Sequence, residues 1–164
     1  MGWHDFWPYL PIHQNSGLIL RRRRIEPSRL QPCRIRMGDT MHKLLLIAMA
    51  GACGTLCRYW LSGAAYAVLG RDFPWGTWAV NILGSFLFGL VWILAEERGL
   101  MSGQTRIIIL TGFMGAFTTF STFVFESGEL LRDAQWLRLA LNIGGQNAVG
   151  FAALFLGTSL GRTL

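Results

Sequence analysis

The feature that most constrains this chain is a series of four long apolar segments. They cover residues 44–69, 73–95, 107–125 and 139–161, and Arg58 is the only charged residue inside any of them. A hydrocarbon core of about 30 Å needs about 20 helical residues to cross it. Four such stretches in one short chain favour transmembrane helices over the buried helices of a soluble protein. The sequence therefore predicts an all-α membrane protein with four transmembrane helices.

Short connections that contain most of the other charges beyond residue 40 join these segments, and they predict an up-and-down arrangement. The distribution of Lys and Arg between the two sides normally sets the orientation of membrane helices. Here the two sides are nearly balanced: Lys43, Arg98, Arg106 and Arg162 on one side, and Arg71, Arg132 and Arg138 on the other. A balanced chain can insert both ways, and two opposite copies can pair around a two-fold axis in the membrane plane. Because four helices enclose little space for a solute pathway, we expect an oligomer.

Residues 1–40 differ from the rest of the chain in composition. They contain seven arginines, including the run 21–24, and four of the five prolines, but no long apolar segment. This composition predicts an extension without a core of its own, either disordered or an artefact of an upstream start site, with Met41 as the alternative beginning. The predicted domains are this Arg- and Pro-rich extension and a four-helix transmembrane domain over residues 41–164.

The third apolar segment has polar groups at its centre, where a membrane helix can least satisfy them. Residues 115–123, GAFTTFSTF, contain four hydroxyl groups within five positions and a phenylalanine at every third position. A break from Gly115 to Thr118 and Thr119 would expose backbone groups to protein, to an ion or to a water-filled cavity. Freed carbonyls suit a cation, whereas hydroxyl, N–H and phenyl-edge hydrogens suit an anion. The alternative is an unbroken helix whose hydroxyls bond to the preceding turn and whose rings face lipid.

Asn81, Asn147 and Arg58 are polar residues inside the other segments. Asn81 in the second segment has two N–H donors that can solvate an anion, whereas for Asn147 in the fourth we favour a hydrogen bond between helices. Arg58 in the first segment either lies at a vestibule, where it would raise the local anion concentration, or reaches the interface near Tyr59 and Trp60. Both alternatives for the arginine remain open at this point.

Other classes of protein fit the sequence less well. The segments contain no nucleophile–base pair and no Gly-rich phosphate loop, so an enzyme is not predicted. Cys53 and Cys57 share a helix face, but no histidine is placed to complete a metal site. A small proton-coupled multidrug-type exporter also has four helices and balanced charge. It needs a buried carboxylate to exchange protons, and Glu126, near a helix end, is the only candidate.

Three motifs carry a resemblance to a known family. GTLCRYW at residues 54–60, PWGTWAVNILGSFLFG at 74–89 and TGFMGAFTTFSTFVFE at 111–126 resemble the Fluc (CrcB-type) fluoride channels. The resemblance implies an antiparallel, dual-topology homodimer whose third helix is broken at its centre. It implies passive export of fluoride across the inner (plasma) membrane of a prokaryote, through two pores per dimer, with one structural sodium ion between the copies. The implied partners are fluoride, a second copy of the chain and the lipid bilayer, but no nucleic acid.

The resemblance also assigns roles to individual residues. The implied fluoride pore residues come from the second and third segments: Asn81, Thr119, Phe120, Ser121, Thr122 and Phe123. Among these, the two phenylalanines would contact fluoride through their ring edges. Backbone carbonyls of Gly115 and Thr118 would hold the sodium ion, and Arg58 would lie near an aqueous vestibule. The fourth segment departs most from the family pattern around Asn142 and Asn147, so the resemblance assigns it no pore contact.

Overall fold

The computed structural model describes residues 37–164, and in that range the chain is helical and has no β-strand. The first two helices are α1 (Met37–Leu69) and α2 (Trp75–Glu96). The third part consists of α3 (Gly103–Ile107), a π-helical segment (Ile108–Met114), α4 (Gly115–Phe117) and α5 (Phe120–Arg132). The fourth consists of α6 (Trp136–Ala140), a second π-helical segment (Leu141–Gly145) and α7 (Gln146–Thr163). The predicted extension lies outside the described residues except for the first turn of α1.

Four spans are long and apolar enough to cross a membrane: Thr40–Leu69, Trp75–Glu96, Gly103–Arg132 and Trp136–Thr163. They coincide with the four apolar segments of the sequence, so the prediction of an all-α protein with four membrane-spanning helices is confirmed. Three of the spans extend several residues beyond the apolar segment at one end or both, and Trp75–Glu96 extends one residue beyond it. These additions include charged residues such as Glu96 and Arg132 at helix ends, where charged residues of membrane helices are usually found.

The second and fourth spans are in the closest contact, because α2 packs along α7. Glycines on both helices allow their backbones to meet. A Cβ atom added to Gly157 would overlap the carbonyl oxygen of Phe86, and one added to Gly89 would overlap that of Leu154. Small residues at such positions are the usual means by which membrane helices approach each other closely. The α2–α7 pair is therefore the most closely packed part of the bundle, and the other helices are arranged around it.

Helix α1 packs on α2 and on the first half of the third span, and most of its remaining surface is uncovered. Only 6% of its most apolar window is buried, compared with 28% in the third span. Its exposed large apolar side chains extend along the whole helix: Leu44, Leu45, Met49, Leu56, Tyr59, Trp60, Val68 and Leu69. A single chain thus leaves a long apolar surface to lipid or to another protein.

The buried interior of residues 37–164 is small and contains both apolar and polar side chains. Its buried apolar side chains are Val80, Ile93, Leu110, Met114, Phe117, Leu130 and Ala153. Its buried polar side chains are Thr77, Thr119, Ser127, Asn142 and Gln146. Burial of a polar group costs free energy unless the group is hydrogen-bonded. These five polar side chains therefore need hydrogen-bond partners inside the bundle.

Candidate functional site

The third span is interrupted at its centre, as the resemblance to the Fluc family implies. Thr118 (φ −82°, ψ 161°) and Thr119 (φ −147°, ψ 111°) are extended, whereas the residues on both sides are helical. The Thr118 hydroxyl donates to the carbonyl of Met114 (3.1 Å) and closes the end of α4. The Thr119 hydroxyl accepts the N–H of Thr122 (3.3 Å) and caps the start of α5. The two adjacent threonines therefore end one helix and begin the next.

Asn81 on α2 holds the backbone of the break in place. Its Oδ1 accepts the N–H of Thr119 (2.8 Å), and its Nδ2 donates to the carbonyl of the same residue (3.1 Å). A backbone unit that has left the helix thereby recovers both of its hydrogen bonds from one side chain, as a buried peptide group requires. Because α2 is fixed against α7, this pair of bonds connects the break to the firmest part of the bundle.

The extended backbone at the break leaves two carbonyl groups without their usual helical donors. The helical donor for the Gly115 carbonyl would be the N–H of Thr119, which is bound to Asn81. The helical donor for the Thr118 carbonyl would be the N–H of Thr122, which is bound to the Thr119 hydroxyl. Unwound carbonyls of this kind coordinate sodium in other membrane proteins. The two residues to which the resemblance assigns sodium thus fit a hard cation through their backbone oxygens.

A cavity of about 370 Å³ lies beside the break, between α2, α5 and α7. Its wall consists of Asn81, Gly84, Ser85, Phe88, Thr118, Thr119, Phe120, Phe123, Gln146, Asn147, Gly150, Phe151 and Leu154. The rings of Phe120 and Phe123 have centroids 5.9 Å apart and planes inclined at 40°. Phe120 is 77% exposed in the single chain, so its ring lies at the outer side of the cavity. The cavity therefore combines amide, hydroxyl and phenyl groups in one place.

The remaining residues predicted for the site lie apart from this cavity. Ser121 and Thr122 are exposed and do not line it, although the Thr122 hydroxyl accepts from that of Thr119 (2.9 Å). Gly115 is exposed on the surface of the single chain. Arg58 is half-buried on α1 and makes no hydrogen bond or ion pair to any residue from 37 to 164. The structure thus brings together four of the six predicted pore residues: Asn81, Thr119, Phe120 and Phe123.

Sequence reasoning missed the amides of the fourth span that are buried. Asn142 is fully buried and Gln146 is 5% exposed, whereas Asn147 is exposed and donates to the carbonyl of Ile143 on its own helix (2.5 Å). The prediction of an interhelical bond for Asn147 is therefore wrong. The signal that was available is the spacing of Asn142 and Gln146, because residues four apart lie on one helix face. The π-helical segment Leu141–Gly145 has a wider turn than an α-helix and rotates the residues that follow it. Regular α-helical spacing therefore does not predict which helix these residues face.

Glu126 connects α5 to α1 rather than to the cavity. Its Oε1 accepts from the hydroxyl of Tyr66 (3.1 Å), which lies near the end of α1, and the carboxylate is half-buried at the middle of α5, not near a helix end as the sequence suggested. A second cavity of about 420 Å³ adjoins it, lined by Tyr66, Arg71, Asp72, Phe73, Pro74, Glu126, Glu129, Leu130, Asp133 and Gln135. The two cavities share no lining residue, so the only candidate carboxylate for proton exchange is separate from the amides and phenyl rings.

Comparison with known proteins identifies the family. The family model described as CrcB-like protein, Camphor Resistance (CrcB), matches residues 45–158. A protein of Solidesulfovibrio magneticus named fluoride-specific ion channel FluC is 64% identical over 124 residues, which are 76% of this chain and 99% of the relative. Proteins of the same name from Nitrosococcus oceani and Geobacter sulfurreducens are 57% and 43% identical over 122 and 124 residues. These cover 74% and 76% of this chain, and 98% and 100% of the relatives. The chain therefore belongs to the CrcB family, as the three motifs of its sequence indicated.

Proposed function

We propose that this chain forms a fluoride-selective ion channel that lowers cytoplasmic fluoride by passive export across the inner membrane. The observation that carries the proposal is the cavity at the helix break, where Asn81, Thr119 and the Phe120–Phe123 pair lie together. Relatives named fluoride-specific ion channels support it, because they match along nearly their whole length. No covalent chemistry is required, so the protein is a channel and not an enzyme.

The chemistry of the cavity suits a small anion that must move through without being trapped. Fluoride is strongly hydrated, so several donors have to replace its water at close range. Amide and hydroxyl hydrogens and the positive edges of the phenyl rings are such donors, and none of them carries a full charge. Conduction needs sites that are favourable enough to enter and weak enough to leave. A path of neutral donors meets both needs better than a buried Lys or Arg would.

The functional unit we propose is an antiparallel dual-topology homodimer with two pores. The exposed apolar side of α1 and the exposed position of Gly115 support a second copy, because a lone chain would leave both uncovered. The near balance of Lys and Arg between the two sides of the membrane supports insertion in both orientations. Each copy would contribute one cavity, so that two parallel pathways cross the membrane.

A structural sodium ion would lie between the copies, held by the carbonyls of Gly115 and Thr118 from each. Its positive charge would offset part of the repulsion that an anion meets in a low-dielectric interior. Replacement of sodium by a larger cation during purification should slowly weaken the dimer and its flux. Removal of external sodium during a short assay should change little. A flux that followed external sodium within seconds would instead indicate a coupled transporter.

The decisive experiment is fluoride efflux from proteoliposomes, followed with a fluoride electrode. We expect rapid efflux once the membrane potential is short-circuited with a potassium ionophore, and little chloride efflux under the same conditions. Empty liposomes provide the control. The alternative predicted from the sequence, a small proton-coupled multidrug-type exporter, would give no fluoride efflux, and its exchange of organic cations for protons would be lost in Glu126→Gln.

A further inference from the structure

The buried amides form one chain of hydrogen bonds from α7 to the helix break. The indole Nε1 of Trp78 and the Nε2 of Gln146 both donate to Oδ1 of Asn142 (3.0 and 3.1 Å). Nδ2 of Asn81 in turn donates to Oε1 of Gln146 (2.7 Å). Nδ2 of Asn142 donates to the hydroxyl of Ser127 (3.0 Å), which anchors the far end of the chain on α5. Gln146 is therefore the connection between a fully buried anchor and the side chain that holds the break.

Groups that can only donate fix the orientation of every amide in this chain. The indole N–H of Trp78 must face an oxygen, so Asn142 presents Oδ1 to it and to Gln146. The backbone N–H of Thr119 must also face an oxygen, so Asn81 presents Oδ1 to the break and turns Nδ2 towards Gln146. Both ends thus require that Gln146 offers its carbonyl oxygen to Asn81 and its N–H to Asn142. A flipped Gln146 amide would place donor against donor and acceptor against acceptor.

This arrangement occupies both N–H groups of the Asn81 side-chain amide. One hydrogen of Nδ2 goes to the carbonyl of Thr119 and the other to Oε1 of Gln146. An anion in the cavity can bind the Asn81 amide only if it replaces one of these acceptors. The bond to Thr119 is one of two that hold Asn81 on the break, whereas Gln146 makes a single bond to Asn81. Gln146 is therefore the acceptor that can leave without loosening the break.

We propose that Gln146 is an internal competitor of the permeating anion. Its side-chain carbonyl binds the second Nδ2 hydrogen of Asn81, and the anion must displace this carbonyl to bind the same hydrogen. This inference rests on the proposed channel function. Displacement leaves Oε1 of Gln146 without a partner in a site that is only 5% exposed, which is unfavourable for a polar atom. Competition from Gln146 lowers the affinity of the Asn81 amide for the anion. When the anion leaves, Oε1 of Gln146 binds Nδ2 of Asn81 again. Gln146 thereby sets how tightly this station holds its ion.

The variant Gln146→Met tests this competition, because methionine has a similar length and no carbonyl. It frees one N–H of Asn81 but leaves both of that residue's bonds to Thr119 intact. With fluoride as the probe, we expect the concentration that half-saturates efflux to fall about tenfold, since one buried hydrogen bond no longer has to be broken. The maximal flux should fall as well, because the ion leaves a deeper site more slowly. Gln104→Met is the matched control, since Gln104 is exposed on α3, and both quantities should stay unchanged there.

The two kinetic quantities separate competition from a purely structural role. If Gln146 only supports the fold, Gln146→Met lowers the maximal flux and leaves half-saturation unchanged or raised, and this result would overturn the proposal. Where the methionine variant yields no stable dimer, Gln146→Glu decides. It keeps an acceptor towards Asn81 and adds negative charge, so half-saturation should rise at least about tenfold, and an unchanged value would refute competition. A wild-type protein that passes no fluoride would refute the channel function itself, which is a different outcome from either.

Discussion

Two phenylalanines that look equivalent in the sequence have opposite environments on the two sides of the helix break. Phe117, the last residue of α4, is 3% exposed and stacks on Phe113 with ring centroids 5.7 Å apart. Phe120, the first residue of α5, is 77% exposed and lies at the cavity with Phe123. The spacing of three residues is the same throughout. The difference arises because two extended residues separate the helices, so the rotation of one helix does not continue into the next.

The comparison shows that the break separates a buried, packed ring from an exposed ring that lines the cavity. On the Phe117 side, the ring contributes to the interior and lies next to Gly84 of α2. On the Phe120 side, the ring edge is available to whatever occupies the cavity. An unbroken helix would have carried both rings round in one regular spiral. Replacements at these positions should therefore differ in kind and not only in size.

The largest effect should come from Phe120→Ile and Phe123→Ile. Isoleucine keeps the apolar bulk but has no positive ring edge, so an anion loses a contact in the cavity. We expect fluoride efflux to fall at least about tenfold, equivalent to ~1.4 kcal/mol of barrier, while the dimer persists in size-exclusion chromatography. Wild-type flux in both variants would refute the role of the ring edges.

Phe117→Ile is the matched replacement on the packing side. It should lower the free energy of unfolding by about 1 kcal/mol, because an aliphatic side chain fills a stacked aromatic position poorly. The flux for each surviving dimer should remain close to wild type. A selective loss of flux at Phe117, with stability unchanged, would erase the distinction between the two sides.

The next largest effect should follow Asn81→Leu, which removes the side chain that holds the backbone of the break. The N–H and carbonyl of Thr119 would both lose their partner, and a buried unsatisfied polar group costs about 1–3 kcal/mol. We expect a clear drop in melting temperature together with a loss of flux. Asn147→Leu is the control for stability, because that amide bonds only to its own helix and should cost less than about 0.5 kcal/mol.

Sequence reasoning reached the fold because hydropathy and length alone define four spans. The hydroxyls and glycines at the centre of the third span left a break and an unbroken helix both open, and the family resemblance favoured the break that Thr118 and Thr119 form. The direction of each side chain after the break could not be predicted. Two extended residues change the rotation between α4 and α5, and no local sequence rule gives the size of that change. Gln146 was missed for a related reason: a π-helical segment precedes it and shifts its face.

A smaller effect is expected from Gly115→Val, at the start of α4. A Cβ atom at this position has open space in the single chain, with the carbonyl oxygen of Leu110 at 3.9 Å as its nearest neighbour. Any damage must therefore arise from the backbone preference of a β-branched residue or from a partner across the two-fold axis. We expect the dimer to weaken by about 1–2 kcal/mol, the usual cost of overpacking, measured as its dissociation with dilution in detergent. Unchanged dimerisation would place the interface elsewhere.

The smallest effect should be that of Thr118→Ser, which tests whether this residue acts through its backbone. Serine keeps the hydroxyl that donates to the Met114 carbonyl, and it keeps the released carbonyl proposed for sodium. It removes only the methyl group that lies against Gly84, so we expect a stability loss of about 0.5–1 kcal/mol and nearly unchanged flux.

Thr118→Val is the complementary variant, because it keeps a methyl group and removes the hydroxyl. The end of α4 then loses its side-chain bond to Met114, at a cost of about 1 kcal/mol, and the break becomes less well defined. If the backbone carbonyl is what matters, both variants still retain sodium and conduct, and valine is the less stable of the two. A serine variant that loses sodium or flux would show that the side chain of Thr118, with its methyl group in place, shapes the ion site directly.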